Sequence, residues 1–117
     1  MSEDTTLDPI AEDLKDRHKL AELFTREFED VGGKIVKVYF RCATPAENHA
    51  FNAKAFDDKN PKRQAEGMTE LGQRCFVHAE GVEKEALFGR RPGIALVIAG
   101  EAVRIAAGQG AELGKRV

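Results

Sequence analysis

The stretch Lys34-Ile-Val-Lys-Val-Tyr-Phe-Arg-Cys-Ala-Thr-Pro-Ala-Glu47 combines the best strand signal in the chain with its clearest helix start. Residues 34–43 are rich in β-branched and aromatic side chains, which favours an extended strand. Thr44 and Glu47 follow at the spacing of a capping box, with proline at the first helical position. A strand cannot satisfy its own backbone groups, so we expect a partner, either segment 27–31 or a strand of another molecule.

Upstream of this stretch, the sequence predicts an amphipathic helix. The pair Asp8-Pro9 supplies an N-cap and a first-turn proline. Apolar residues then recur near helical spacing, so we expect a helix from about Pro9 to Phe28, although segment 27–31 also suits a strand. Gly32-Gly33 is a turn signal.

Downstream, the pattern predicts further helices that share one core. The capped helix should end near Asp57-Asp58, and Asn60-Pro61 should start another whose apolar stripe reaches Ala79. A short helix over Val82 to Phe88 and a last one over Gly93 to Ala107, apolar on most faces, complete the set.

These elements predict one mainly α (α+β) domain over residues 1–117. Four to five helices should pack around the C-terminal apolar helix, with one short strand or hairpin near residues 27–42. Residues 1–8 should be frayed and residues 109–117 should form a mobile tail.

Composition indicates a globular, reduced, cytosolic protein. Hydrophobic residues make up 42% and charged residues 32% of the chain, which is typical of a folded domain. Cys42 and Cys75 are too few for a disulfide framework, and the acidic N-terminus is unlike a secretory signal. No apolar stretch reaches the roughly 20 residues that a membrane helix needs.

No residue pattern predicts catalysis, a cofactor or a metal. Cys75 and His78 stand three apart on a predicted helix, but a zinc site needs four ligands and no second pair is close. A buried, unreactive Cys75 is the simpler interpretation. The glycines of residues 108–114 follow a helix rather than a strand, which excludes a dinucleotide loop. We therefore expect no enzyme activity.

Charge distribution leaves nucleic-acid binding open but disfavoured. Residues 1–30 carry ten acidic and four basic side chains, and the rest of the chain is mildly basic. Lys59, Lys62 and Arg63 cluster at one predicted helix start, and Arg90 with Arg91 at another, where phosphates can bind. Nucleic-acid modules usually have a stronger basic footprint.

The order of features from about residue 34 to residue 108 resembles a known family. Val38-Tyr-Phe-Arg-Cys-Ala-Thr-Pro-Ala-Glu47 ends the strand, two helices follow, and Ala86-Leu-Phe-Gly-Arg-Arg-Pro-Gly-Ile-Ala-Leu-Val-Ile-Ala-Gly-Glu-Ala-Val-Arg-Ile-Ala-Ala-Gly108 comes last. This order is similar to the small tail-assembly-chaperone-type proteins of long-tailed bacteriophages and related prophages.

The resemblance implies a non-enzymatic protein that binds the helical tape-measure protein and brings tail subunits to it. The alternatives are a structural component of a phage tail or virion and a small nucleic-acid-binding regulator. The resemblance also implies a location in the host cytoplasm, with the virion as the alternative, and self-association is left open.

The segment Leu87-Phe88-Gly89-Arg90-Arg91-Pro92-Gly93 is predicted to be part of the partner-contacting surface, through Leu87, Phe88, Arg90 and Arg91. Leu87 and Phe88 end a helix too short to be stable alone, so it must dock on its own core or on a partner. Arg90 and Arg91 would be held at a corner between two helices, and arginine beside an apolar anchor is common at binding hot spots. The alternative is a solvated turn in which Phe88 fills the core.

Overall fold

Five α-helices and four β-strands make up the part of the chain that the computed structural model describes, residues 8–55, 60–108 and 115–116. In chain order they are α1 (Pro9–His18), β1 (Phe24–Glu29), β2 (Ile35–Phe40), α2 (Pro45–Ala55), α3 (Pro61–Cys75), β3 (Phe76–Ala79), α4 (Lys84–Arg90), α5 (Gly93–Ala106) and β4 (Lys115–Arg116). The α+β class predicted from the sequence is confirmed.

The strands form one antiparallel sheet in the order β3-β2-β1-β4. β1 and β2 make a hairpin whose register runs from Phe24 opposite Phe40 to Glu29 opposite Ile35. A short 3-10 turn (Val31–Gly33) joins them, and both of its glycines have positive φ, which suits residues without a Cβ. β2 therefore finds its partner strands within its own chain.

The two faces of the sheet are covered by different helices, as alternation along a strand requires. Val36, Val38 and Phe40 of β2 belong to the main core, which α3, α4 and α5 complete. Tyr39 points to the opposite face, where Ala11 and Leu14 of α1 cover it. The sheet thus separates α1 from the other helices.

The helices of the main core approach each other closely. α3 and α4 both pack against α5, and α2 packs against α3. At Gly72 of α3 the approach is so close that a Cβ would lie 1.9 Å from the carbonyl oxygen of Ala95 in α5. Only glycine fits there.

The predicted helix from Pro9 to Phe28 is wrong beyond His18. Lys19 adopts a left-handed conformation (φ 56°, ψ 51°) that ends α1, and the chain is extended again from Phe24. Leu23 and Phe24 are both fully buried, in the clusters on opposite faces of the sheet, which a strand allows and a single helical stripe does not. Pairing with β2 satisfies the backbone groups that the longer helix would have satisfied internally.

The predicted helical stripe to Ala79 is also wrong at its end. Phe76 is extended (φ −63°, ψ 131°), and residues 76–79 form β3 beside β2. The helix start at Asn60-Pro61 and the last helix are confirmed within a residue, while the short helix is shifted to Lys84–Arg90.

Several terminal predictions fall largely outside the described residues. This holds for the end of the capped helix near Asp57-Asp58, for residues 1–7 and for residues 109–114. Asp8, placed at the frayed N-terminus, accepts hydrogen bonds from the first turn of α1. Of the predicted mobile tail, Lys115–Arg116 pairs with β1.

Candidate functional site

The predicted partner segment lies on α4 and at its junction with α5. Leu87 is fully buried in the main core. Phe88 is half-buried, and its ring meets that of Phe76 edge-on at 5.2 Å between centroids. The apolar half of the segment therefore serves the protein's own core.

The two arginines of the segment hold the β1–β2 hairpin. Arg90 donates from Nε and Nη2 to both carboxylate oxygens of Asp30, at 3.1 and 2.8 Å. Asp30 is buried and also accepts from the Val31 amide at 2.8 Å. The Arg90 guanidinium lowers the pKa of Asp30 to about 2. Arg91 donates to the Glu29 carbonyl oxygen at 3.2 Å, so the corner is fixed by contacts within the chain.

Beyond this corner, one side of α5 is open to solvent. Leu96 and Val97 are 41% and 39% exposed, although the other side of the helix is buried from Ile94 to Ile105. A Cβ built at Gly93 or Gly100 would meet nothing within 4 Å. We call this side the α5 outer face; its members are Gly93, Leu96, Val97, Gly100 and Arg104.

The composition of the α5 outer face is that of a helix-packing surface. Gly93 and Gly100 are seven residues apart with the large apolar side chains between them, a heptad-like spacing that one face of a helix repeats. Exposed arginines, Arg91 and Arg104, bracket the apolar part. The face can therefore accept a second helix closely, and its arginines favour a partner that carries acidic side chains.

Sequence reasoning missed this face because a helix apolar on most sides is typical of a fully buried position. The signal that could have found it is the pair of glycines in the middle and at the start of a strongly apolar helix. Each glycine weakens a helix, so a compensating reason is expected.

The side chains considered for catalysis or metal binding are separated by the fold. Cys75 ends α3 and is fully buried, and burial raises the pKa of its thiol to about 12. His78 lies on β3, with its ring 6.0 Å from that of Tyr39. Within the described residues there is no group of three or more His, Cys, Asp or Glu side chains that could hold a metal, and no helix is long and apolar enough to cross a membrane.

A polar cluster on the α1 side of the sheet was not predicted. The Asp8 carboxylate accepts from the Tyr39 hydroxyl at 2.8 Å and from Lys37 Nζ at 3.1 Å while it caps α1. Burial, together with the hydrogen bond to Asp8, raises the pKa of Tyr39 to about 12. Since Tyr39 is fully buried, the cluster anchors α1 to the sheet.

No protein-family model, no curated protein and no solved structure matches the chain. Its function therefore has to be argued from its own surfaces.

Proposed function

We propose that this protein is a non-enzymatic binder of a helical protein segment, of the phage tail-assembly-chaperone type, and that its α5 outer face contacts the partner. The observation that carries the proposal is the exposure of Leu96 and Val97 between two glycines that no contact within the described chain requires. Gly100 lies inside α5, where a glycine costs about 1 kcal/mol relative to alanine. A partner that packs against Gly100 would explain its presence.

The geometry of the face favours a helix as the occupant. From Gly93 to Arg104 the face is about 17 Å long at 1.5 Å per residue, which matches three turns of a second helix. Side chains of such a partner helix can pack over Gly93 and Gly100, and Leu96 and Val97 can insert between side chains of the partner. An amphipathic helix in an apolar groove is a common mode of peptide recognition.

The exposed positive charges of the face indicate which side chains the partner should carry. Arg91 and Arg104 are exposed at the two ends of the apolar part. A segment with acidic residues about three turns apart on the flanks of an apolar stripe would complement them. The resemblance described above implies a tape-measure protein, a long helical chain, as the source of this segment.

The test is co-expression with the tape-measure protein of the same genome, followed by co-purification and a measured affinity. Leu96→Glu with Val97→Glu should weaken binding at least tenfold, about 1.4 kcal/mol, because both charges would be buried without partners. Ile10→Glu is the matched control, since Ile10 is also on a helix and is 40% exposed. It should leave binding unchanged.

Circular dichroism and denaturant midpoints of both variants must match the parent protein. Unchanged affinity in the double variant, with the fold intact, would refute the assignment of the α5 outer face. A genome that encodes no tape-measure protein beside this chain would remove the tail-assembly role.

A further inference from the structure

A second surface feature, separate from the α5 outer face, is a groove between α2 and α3. The two helices touch at one end, where a Cβ on Gly67 would lie 2.9 Å from Cβ of Lys54. Beside that contact the two helices enclose a space of about 200 Å³ that is open to solvent. This α2–α3 groove is lined by Ala46, Glu47, Ala50, Phe51, Lys54, Gly67, Glu70, Leu71 and Arg74.

The floor of the groove is apolar. Leu71 is buried at its base, and Phe51 is half-buried and packs against the main core. Ala50 is exposed and contributes only a methyl group to the lining. Small-molecule sites usually measure about 300–1,000 Å³, so this groove has the size for a single apolar side chain whose main chain stays outside.

The rim carries four charged side chains, of which three are paired. Both oxygens of Glu47 accept from the Arg41 guanidinium at 2.7 Å, and Glu70 forms an ion pair with Lys54. Arg74 is exposed and makes no hydrogen bond or ion pair with any described residue, although its charge helps to lower the pKa of Glu70. With Arg41 included as the partner of Glu47, this region holds three cations and two carboxylates, and Arg74 is the cation that no described carboxylate pairs with.

We propose that the α2–α3 groove binds a protein segment in which a leucine-sized apolar side chain is followed directly by a carboxylate. The apolar side chain fills the space over Leu71 and Phe51, and the carboxylate pairs with Arg74. Arginine pairs with carboxylates through two parallel hydrogen bonds, which fixes the orientation of the segment. This surface is distinct from the α5 outer face, so the inference does not depend on the proposed function.

The experiment is a titration of isotope-labelled full-length protein followed by nuclear magnetic resonance. The probes are the blocked peptides acetyl-Ala-Leu-Glu-Ala-amide, its Leu-Gln analogue and its Ala-Glu analogue, with hexanoate as a small carboxylate. The Leu-Glu peptide should saturate with a dissociation constant of about 1 mM. Its shifts should centre on Ala50, Phe51 and Leu71, and the analogues should bind about tenfold more weakly.

Two variants and two matched controls isolate the two halves of the interaction. Arg74→Gln should weaken the Leu-Glu peptide about tenfold and leave the Leu-Gln peptide unchanged. Ala50→Phe should fill the groove and abolish binding of both peptides. Lys62→Gln and Ala65→Phe change exposed residues of α3 that do not line the groove and should have no effect.

Three outcomes would overturn the proposal. The first is the absence of a saturable shift at the groove in the folded parent protein. The second is equal binding of the Leu-Glu peptide to the Arg74→Gln variant, which would remove the carboxylate contact. The third is hexanoate binding as tightly as the peptide, which would make the groove a small-molecule site.

Discussion

Replacing Gly72 by alanine should destabilise the fold more than any other single methyl addition considered for this chain. The new Cβ would lie 1.9 Å from the Ala95 carbonyl oxygen, and its distances to the carbonyl carbon and Cα of Ala95 would be 2.6 and 2.8 Å. Real Cβ contacts essentially never fall below 3.0 Å. Because every opposing atom is backbone, no side-chain rotation can relieve the clash, and α5 must move away from α3.

The expected cost follows from two opposing effects. Overpacking a core costs about 1–3 kcal/mol and sometimes more, and a clash with rigid backbone belongs at the upper end. Alanine regains about 1 kcal/mol of helix propensity relative to glycine. We therefore expect a net loss of about 2 kcal/mol in the free energy of unfolding. With a urea m-value of about 1–3 kcal/mol per M, the midpoint should fall by roughly 0.7–2 M.

Gly100→Ala is the matched control for this prediction. It adds the same methyl group to α5, where a Cβ meets nothing within 4 Å, and should stabilise the protein by up to about 1 kcal/mol. Urea melts followed by far-ultraviolet circular dichroism compare the two variants. A Gly72→Ala midpoint equal to or above that of the parent protein would show that the helices are not in the contact described.

Four further expectations concern single groups. Thr44→Ala should lower the free energy of unfolding by about 1 kcal/mol, because the Thr44 hydroxyl accepts a hydrogen bond from the Glu47 amide at 3.1 Å. An unchanged denaturant midpoint would show that this hydrogen bond does not stabilise the helix start. The Arg41 guanidinium lowers the pKa of Glu47 from 4.5 to about 2, so its contribution is complete above pH 4.5 and is lost as pH falls toward 2. In the Glu47→Gln variant the free energy of unfolding should change less between pH 4.5 and pH 2. A pH profile parallel to that of the parent protein would contradict the pairing of Glu47 with Arg41. Arg90→Ala should lower the midpoint because it leaves the buried Asp30 without its ion-pair partner; the loss should be smaller when Asp30 is already Asn. Cys75 should react with an aromatic disulfide reagent only after unfolding, since burial raises its thiol pKa to about 12; reaction at equal rates in the native and unfolded states would refute its burial.

Short sequence patterns were sufficient to predict those features that depend only on residues close together in the chain. The Thr44–Glu47 capping box is present in both directions, at 3.0 and 3.1 Å. Asn60 caps α3 through the Arg63 amide. Each of these contacts spans three residues, so the pattern that predicts it is contained in a short window.

Elements that depend on distant pairing were mistaken for helix. β3 is extended because it lies beside β2 and hydrogen-bonds to it, a contact that no window around residues 76–79 reveals. β1 has the same dependence, and its apolar residues happen to recur near helical spacing. Strand preference reflects packing against neighbouring strands more than the backbone itself.

Neither candidate surface could be predicted from the sequence. The α2–α3 groove requires the helices to touch at Gly67 and to leave a space that residues of both helices line, which follows from their relative orientation. The α5 outer face requires knowing that α3 and the sheet cover only one side of α5. In both cases exposure is decided by helix packing, whereas the residue types alone would suit a core.

The dependence of the β1–β2 hairpin on α5 has a consequence for synthesis of the chain. Phe24, Val36 and Phe40 are complete early in translation, but the core that covers their apolar face is finished only by Ile94 and the residues of α5 that follow. At about 5–20 residues per second, the roughly 55 residues in between take about 3–11 s to make. During that interval the nascent hairpin has part of its apolar surface uncovered at the ribosome, where holding chaperones can bind it. Chains released before α5 is made should therefore aggregate rather than persist as folded fragments.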